Sequence, residues 1–269
     1  MRRTKTSKYI KTEHEVKYFE SLESSLSPRQ LRRMNKHQAR TLRGETQIAE
    51  ETIDRYKREQ FKLEPKTQGQ AELIYGMDHY NQVVVFGPAG TGKTYVISAY
   101  AAQLFLQKKI DKIIITRPNV PTGRTLGLFP GDINQKMAVW LQPVIAVLKQ
   151  VLGTAVFDIA HSRGDIVFQP LETIRGCSFD NAFIIIDESQ NINIDEVKAL
   201  VTRVGDNTTI VFNGDIAQKD ISTNSGLQFI IDKIQSNEKL NEVSYIVELD
   251  LSDVVRSKLC KLWVEAFNV

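Results

Sequence analysis

The stretch of sequence best suited to chemistry is an eight-residue loop, Gly-Pro-Ala-Gly-Thr-Gly-Lys-Thr, at positions 87–94. Glycines let such a backbone bend around a polyphosphate and turn its N–H groups inward. The Lys93 ammonium can reach the β- and γ-phosphates of a nucleotide, and the Thr94 hydroxyl can hold Mg²⁺. The apolar run before the loop disfavours the alternative, a glycine-rich turn with a stray lysine. The residues predicted to cradle a nucleoside triphosphate are Gly87, Pro88, Ala89, Gly90, Thr91, Gly92, Lys93 and Thr94.

Two consecutive acids, Asp187 and Glu188, come directly after an apolar run at 182–186. In phosphate-loop enzymes, an acid at the end of such a strand holds Mg²⁺ opposite the loop hydroxyl. We therefore predict that Asp187 and Thr94 are the metal ligands. Glu188 is predicted to be the base that activates water for hydrolysis. Two solvated acids at a strand end are the alternative.

A third apolar run, at 208–212, is followed by Asn-Gly-Asp-Ile-Ala-Gln at 213–218. Asp215 and Gln218 lie just past the predicted strand, where polar side chains could sense the γ-phosphate and move when it leaves. Taken without the other two motifs, this segment would be an ordinary turn. Together, the three strand ends predict one nucleotide site.

The elements that would position these residues alternate between apolar runs and helix-like stretches from about residue 63 onward. Runs of this length are typical of strands buried on both faces of a parallel sheet. The predicted fold is therefore a three-layer α/β domain with the phosphate loop at the carboxyl end of a strand. The predicted strands are 83–86, 112–116, 165–169, 182–186, 208–212 and 243–249.

Three apolar stripes of helical spacing are predicted to be core faces of helices. The first consists of Leu227, Ile230, Ile231 and Ile234. The second consists of Met137, Trp140, Leu141, Val144, Leu148 and Val151. Pro143 is expected to kink or divide that second helix. The third lies between residues 252 and 267 and consists of Val255, Leu259, Leu262 and Trp263.

The first 62 residues differ from the rest of the chain, with 16 Lys and Arg against 9 Asp and Glu and few apolar residues. We predict a basic helical segment over 1–62, followed by the α/β domain over 63–269. Such a segment buries little of itself, so it must pack on the main domain or on a partner, or stay mobile. It could track the phosphates of a nucleic acid, or it could be a solvated helical face.

The bulk composition excludes several classes of protein. No apolar run approaches the length of about 18–20 residues that spans a bilayer, so no membrane partner is expected. The basic N-terminus is not followed by the hydrophobic segment of a secretion signal. Only Cys177 and Cys260 are present, without metal-ligand spacing, which fits a cytoplasmic location better than a disulfide-bonded one.

The order of these motifs resembles the PhoH-like ATPase family, which is related to the motor core of superfamily 1 helicases. The resemblance covers about residues 65–220. One departure is Ser189, where the family usually carries Ala, and Phe129 is another mild one. The blocks that carry the resemblance are 87–94, 116–118, 127–132, 170–171, 175–176, 187–191, 202–205 and 214–220.

The resemblance implies a RecA-like domain that binds ATP and Mg²⁺, and it suggests roles for further residues. Gln70 looks like the glutamine that such enzymes place against the adenine, since its amide offers both a donor and an acceptor; Gln68 is a rival. Gln218 looks like the γ-phosphate sensor, and Gln190 is expected to couple the acids to the nucleic-acid side. The block that resembles a nucleic-acid contact is Thr116, Arg117 and Pro118.

Helicases of this kind have two motor domains, and arginines from the second complete the ATP site. A chain with about 200 residues after its basic segment has room for one such domain. The resemblance therefore implies a ring-like oligomer, a hexamer, in which a neighbour supplies an arginine, a contribution of about 10³–10⁵ in rate. Arg203 and Arg256 are the first candidates for this arginine, and Arg175 is a third.

The motifs thus predict an ATP hydrolase, and the resemblance implies that it acts on single-stranded RNA or DNA as a helicase-like motor, with RNA helicase activity as the finer expectation. A different reading is a regulatory or assembly protein whose ATP state controls a protein partner without strand separation. A kinase fits less well, because Glu188 and Gln218 suit water activation and sensing better than a bound acceptor.

Overall fold

The computed structural model of the protein describes residues 61–118, 140–174, 178–218 and 225–267. The predicted basic segment at 1–62 lies almost entirely outside these ranges, so it and the domain boundary at 62/63 stay predictions. Arg175, the block at 127–132 and the end of the block at 214–220 also lie outside the described residues.

All six apolar runs predicted to be strands form one parallel sheet. Its strands are β1 (Gln82–Phe86), β2 (Lys112–Thr116), β3 (Ile166–Phe168), β4 (Ala182–Ile186), β5 (Thr209–Gly214) and β6 (Ser244–Glu248). Their order across the sheet is β3-β2-β4-β5-β1-β6, and every neighbouring pair is parallel. The strand that precedes the phosphate loop is therefore separated from the strand that precedes the acids by β5 alone. This arrangement confirms the predicted RecA-like α/β architecture.

Helices cover both faces of the sheet. Those whose bounds fall within the described residues are α1 (Gln68–His79), α2 (Lys93–Leu106), α3 (Gln142–Leu152), α4 (Thr154–Arg163), α5 (Ile194–Val201), α6 (Gly226–Gln235), α7 (Glu238–Val243) and α8 (Lys258–Phe267). Short 3₁₀ turns lie at Leu171–Thr173, Ser189–Asn191, Ile216–Gln218 and Leu251–Asp253.

The core consists of two apolar clusters, one on each face of the sheet. Alternate residues of a strand point to opposite faces, and β1 illustrates this directly. Val83 and Val85 belong to the cluster that includes residues of α1, α2, α3 and α4. Val84 belongs to the cluster that includes residues of α5 and α6. The sheet is thus buried on both sides, which holds its strand ends, and the residues that follow them, in fixed positions.

Local signals account for the ends of two helices near the site. The Thr67 side chain accepts a hydrogen bond from the Gln70 N–H at the start of α1. At the start of α5, Asn193 and Glu196 form a capping box, in which each side chain accepts from the other residue's backbone N–H. Such caps satisfy backbone donors that the first turn leaves unpaired.

The first predicted core stripe is confirmed, as are four residues of the second. Trp140 of the second stripe is only half-buried, and Met137 lies outside the described residues. Leu227, Ile230, Ile231 and Ile234 of α6 are buried, as are Leu141, Val144, Leu148 and Val151. Trp140 is helical, Leu141 lies in a turn, and α3 begins at Gln142 with Pro143 in its first turn. The predicted helix is therefore divided at this proline, one of the two outcomes expected for it. A first-turn proline is well tolerated, because the N–H that it lacks would have no partner within the helix.

The third predicted core stripe is wrong. Leu259 is 66% exposed, Leu262 53% and Trp263 57%, and Val255 is also exposed. The physical reason lies in the path of the chain after β6. The Val255 N–H donates to the Gly90 carbonyl at 3.1 Å, so this segment runs beside the phosphate loop and not onto a face of the sheet. Helical spacing predicts an apolar face but does not say what covers it.

Within the described residues, no single helix combines the length and apolar character needed to cross a membrane. Helices α3 and α4 meet those criteria only when taken together, and the pair is bent by 116°. Most of the apolar residues of α3 are buried in the core.

Candidate nucleotide-binding site

The phosphate loop lies at the carboxyl end of β1 and leads directly into α2, as the sequence predicts. Its backbone takes conformations that favour glycine. Gly87 has φ of +144°, and a Cβ there would lie 2.2 Å from the Leu249 carbonyl oxygen. Gly92, the residue before α2, has φ of +85°. The loop thus needs glycine for its shape and for its close approach to the segment after β6.

Lys93 is buried inside this loop, with 9% of its surface exposed. Its Nζ donates to the Gly87 and Pro88 carbonyls at 2.7 and 2.9 Å. Burial lowers the pKa of the ammonium, and the negative charges of Asp215, Glu188 and Asp187 oppose that shift. A cation held this way is positioned to receive the negative charge of phosphate oxygens.

Thr94 and Asp187, 93 residues apart in the chain, meet beside the loop, with Thr94 Oγ1 3.4 Å from Asp187 Oδ1. Burial raises the pKa of Asp187, as does the nearby charge of Glu188. Arg117, and hydrogen bonds from Asn213 and Thr94, lower it. The structure therefore brings the two predicted metal ligands together, with oxygen atoms of the kind that Mg²⁺ prefers.

Asn213, which the sequence analysis did not assign, joins these two residues. Its Nδ2 donates to Thr94 Oγ1 at 3.0 Å and to Asp187 Oδ1 at 2.7 Å. Asn213 is 3% exposed, and its Oδ1 is buried without a hydrogen-bond partner among the described atoms. A buried acceptor without a donor is costly, and a metal-bound water could satisfy it. The only sequence signal for Asn213 is that it directly follows the apolar run 208–212; the position of β5 between the two motif strands is visible only in the structure.

Glu188 lies one residue further along and is held by a glutamine. It has a left-handed backbone, with φ of +53°, at the start of the 3₁₀ turn Ser189–Asn191. Gln190 Nε2 donates to Glu188 Oε2 at 2.6 Å and lies 3.4 Å from the Gln218 carbonyl. Gln190 Oε1 accepts from the Asp215 N–H at 3.0 Å. One side chain therefore links the predicted base to the turn that carries the predicted sensor.

The first glutamine of the rival pair on α1 does not contact the loop, whereas the second does. Gln68 is exposed and donates to Glu72 on its own helix. Gln70 is buried, and its Nε2 donates to the Thr91 carbonyl at 2.8 Å while its Oε1 accepts from the Lys66 N–H at 2.9 Å. The side chain that was predicted to contact adenine thus also supports the loop.

Arg117, predicted to contact nucleic acid, lies against the two acids. Its Nη1 is 3.7 Å from Asp187 Oδ2, and its Nη2 is 3.5 Å from Glu188 Oε1. Nη1 also donates to the Trp140 carbonyl at 3.3 Å. Thr116 and Pro118 are buried, so Arg117 is the member of this block whose side chain is partly exposed.

The first two candidates for the arginine that a neighbouring subunit would supply lie in different places. Arg256 lies beside the phosphate loop of its own chain and lines the same cleft. Arg203 lies near the amino ends of β4 and β5, where its carbonyl accepts from the Phe179 N–H. The Arg203 Nε is buried without a partner among the described atoms. The loop and the acids are at the opposite, carboxyl edge of the sheet.

The loop, the acids and Arg256 line one cleft with a volume of about 580 Å³. This volume is in the range of small-molecule sites. Gln70, Asn213, Asp215 and Gln218 also line it. The sequence analysis missed several lining residues because no motif contains them: Glu64, Lys66, Tyr95, Pro143 and Val147.

Most of the chain matches one family of known proteins. Residues 62–268 match the family model described as PhoH-like protein. The chain is 36% identical over 205 residues to a PhoH-like protein of Bacillus subtilis, covering 76% of this chain and 63% of that protein. It is 33% identical over 207 residues to Protein PhoH of Escherichia coli K12, covering 76% of this chain and 57% of that protein. The chain thus spans about three fifths of the length of these relatives.

Solved structures with a similar arrangement are more distant. A large terminase from a thermophilic bacteriophage is 12% identical, with a TM-score of 0.45, and the match covers 73% of this chain and 48% of that one. The Pif1 helicase from Candida albicans is 14% identical, with a TM-score of 0.41, and the match covers 77% and 44% of the two chains.

Proposed function

We propose, since the chain belongs to the PhoH-like protein family, that it is an Mg²⁺-dependent ATPase that acts on single-stranded nucleic acid, with RNA the first choice and DNA the second. The observation that carries this proposal is that Lys93, Thr94 and Asp187 lie together at the carboxyl edge of the sheet. Asn213 bridges Thr94 and Asp187. Lysine, threonine and aspartate are the residue types that phosphate-loop enzymes use for phosphate and metal.

In this proposal, the loop amides and Lys93 bind the phosphates, and Gln70 contacts the adenine while it supports the loop. Thr94 and Asp187 would hold Mg²⁺, which neutralises charge on the phosphates when it is bound. Asn213 keeps the hydroxyl and the carboxylate in register. Gln218 and Asp215, on the turn that follows β5, report the presence of the γ-phosphate through Gln190.

Glu188 is the proposed base for the chemical step. It accepts a proton from the attacking water as the water oxygen bonds to the γ-phosphorus. The bond from that phosphorus to the bridging oxygen breaks, and ADP and phosphate result. Gln190 sets the position of the Glu188 carboxylate before this step, and Arg117 lies against its other oxygen.

The rate of ATP hydrolysis, measured with and without single-stranded RNA or DNA, tests the proposed substrate. We expect single-stranded RNA or DNA to raise the rate of ATP hydrolysis. We also expect the affinity of the protein for the nucleic acid to fall steeply as the salt concentration rises, because phosphate contacts release counterions. Double-stranded nucleic acid of the same length is the control. A rate that no nucleic acid changes would favour the second candidate, a protein whose ATP state regulates or assembles a protein partner.

A ring of subunits, a hexamer, is the proposed assembly. Arg203 supports this idea by its place, since it lies at the far edge of the sheet from its own loop, where a neighbour's site could use it. Arg256 lines its own cleft and is the candidate that could act within the chain. We also propose a cytoplasmic location, because the chain has only two cysteines and they lack metal-ligand spacing.

Mixing two inactive variants tests the shared site. We expect Arg203→Ala and Lys93→Ala each to lose ATP turnover, and a mixture to recover part of it, because mixed rings contain sites with an intact loop and an intact arginine. Arg256→Ala in place of Arg203→Ala distinguishes the two candidates. Solution mass with ATP and Mg²⁺ gives the subunit number. A monomer that hydrolyses ATP at the full rate would contradict the ring.

A further inference from the structure

Both oxygens of the proposed base are occupied by donors. Glu188 Oε1 lies 3.5 Å from Arg117 Nη2, and Oε2 accepts from Gln190 Nε2 at 2.6 Å. A carboxylate oxygen that already faces a protein donor has to exchange that donor before it can accept a hydrogen bond from the attacking water. The Glu188 side chain lines the cleft, yet its oxygens are turned toward two protein donors.

Of the two donors to Glu188, Arg117 is the one that another ligand can draw away. Gln190 is 1% exposed and is fixed by the Asp215 N–H. The Arg117 side chain is 24% exposed, and its separations from the acids, 3.5 and 3.7 Å, are those of loose ion pairs. It follows β2, in the block that resembles a nucleic-acid contact.

The two oxygens of Asp187 have different partners. This arrangement determines how a bound metal ion would change the attraction between Asp187 and Arg117. Oδ1 faces Thr94 and Asn213, and Oδ2 faces Arg117. A divalent cation held by Thr94 and Asp187 would place positive charge on the other side of the carboxylate from the guanidinium. Like charges repel strongly in such a buried setting, so metal binding weakens the hold of the acids on Arg117.

A phosphate group is the ligand best able to take Arg117 away. Guanidinium groups bind phosphate oxygens with two parallel hydrogen bonds, a geometry that neither acid satisfies here. We propose that Arg117 restrains Glu188 in the resting site, and that a backbone phosphate of the nucleic acid, by binding Arg117, releases Glu188 to act as the base. This inference rests on the proposed ATPase function and names the positioning residue through which nucleic acid would stimulate it.

Replacing the arginine tests the restraint directly. We expect Arg117→Gln to raise ATP turnover without nucleic acid by about tenfold, the factor that corresponds to the loss of one charge-assisted hydrogen bond. We expect single-stranded RNA or DNA to raise it no further, since the group that responds is gone. A purely structural role for Arg117 would lower turnover and leave the ratio of stimulated to basal rate unchanged.

Three further variants serve as controls. Arg163→Gln, which removes an exposed arginine at the end of α4, should change neither rate. Adding Glu188→Gln to Arg117→Gln should abolish the raised turnover, which shows that the released base produces it. Arg117→Lys keeps the charge without the fork, so a smaller rise is expected; it replaces Arg117→Gln if that variant melts at a lower temperature than the wild type.

Each outcome bears on a separate claim. Basal turnover in Arg117→Gln that is unchanged or lower overturns the restraint. A tenfold rise, in a protein whose wild type ignores nucleic acid, supports the restraint and overturns both release by phosphate and the proposed nucleic-acid substrate. If the wild type shows no turnover under any condition, the proposed function fails. That conclusion requires that Arg117→Gln also fails to hydrolyse ATP, and the restraint is then overturned as well. If Arg117→Gln gains turnover where the wild type has none, the result supports both the restraint and the ATPase function.

Discussion

Glu188→Gln is expected to reduce ATP turnover by about 10²- to 10⁴-fold, the range that a general base contributes. Glutamine keeps the size of the side chain and can still pair with Gln190, but it cannot accept the proton of the attacking water. Binding of ATP should persist, because Lys93 and the loop amides are untouched. Steady-state turnover and equilibrium binding of ATP, measured on the same preparation, separate the two effects.

Glu242→Gln is a matched control for this prediction, since Glu242 is an exposed residue of α7. It should leave both turnover and binding unchanged. Wild-type turnover in Glu188→Gln would show that another group accepts the proton. Asp215 would then be the next residue to replace, because it lines the same cleft.

Lys93→Ala is expected to lose ATP binding as well as hydrolysis. The ammonium is the buried cation of the loop, and its contacts with charged phosphate oxygens correspond to roughly 10- to 100-fold in affinity. The change also removes the donor to the Gly87 and Pro88 carbonyls, so the loop itself loses two hydrogen bonds. Calorimetric titration with ATP and Mg²⁺ measures the loss of affinity.

The control for this change is Lys109→Ala, which removes an exposed lysine after α2 and should bind ATP normally. A thermal melt of Lys93→Ala shows whether the fold is retained. A folded Lys93→Ala protein that binds ATP as tightly as the wild type would contradict the role of the lysine.

The strands and the phosphate loop could be predicted because their signals are local. Strands buried on both faces appear as continuous apolar runs, and β2 and β4 match the predicted bounds to the residue. The loop pattern fixes its own chemistry, since each glycine, the lysine and the threonine has a defined task. The pairing of Thr94 with Asp187 followed from the pattern of phosphate-loop enzymes, in which an acid at the end of a strand lies opposite the loop hydroxyl.

What the sequence did not predict depends on which strands are neighbours. Asn213 is significant only because β5 lies between β1 and β4, an order that no local pattern encodes. Arg117 reaches the acids because β2 is the other neighbour of β4, so a residue predicted to contact nucleic acid lies against Asp187 and Glu188. The apolar face of α8 was wrongly predicted to be buried, because the spacing of apolar residues does not show which part of the protein packs against them.

The carbonyls of two neighbouring loop residues are tied to distant parts of the chain. The Thr91 carbonyl accepts from Gln70, before β1, and the Gly90 carbonyl accepts from the Val255 N–H, after β6. The loop is therefore held by hydrogen bonds to two segments of the chain. One precedes the first strand of the sheet and the other follows the last strand. Any shortened version made for crystallisation or engineering has to retain about residues 66–255 if its phosphate loop is to stay preformed.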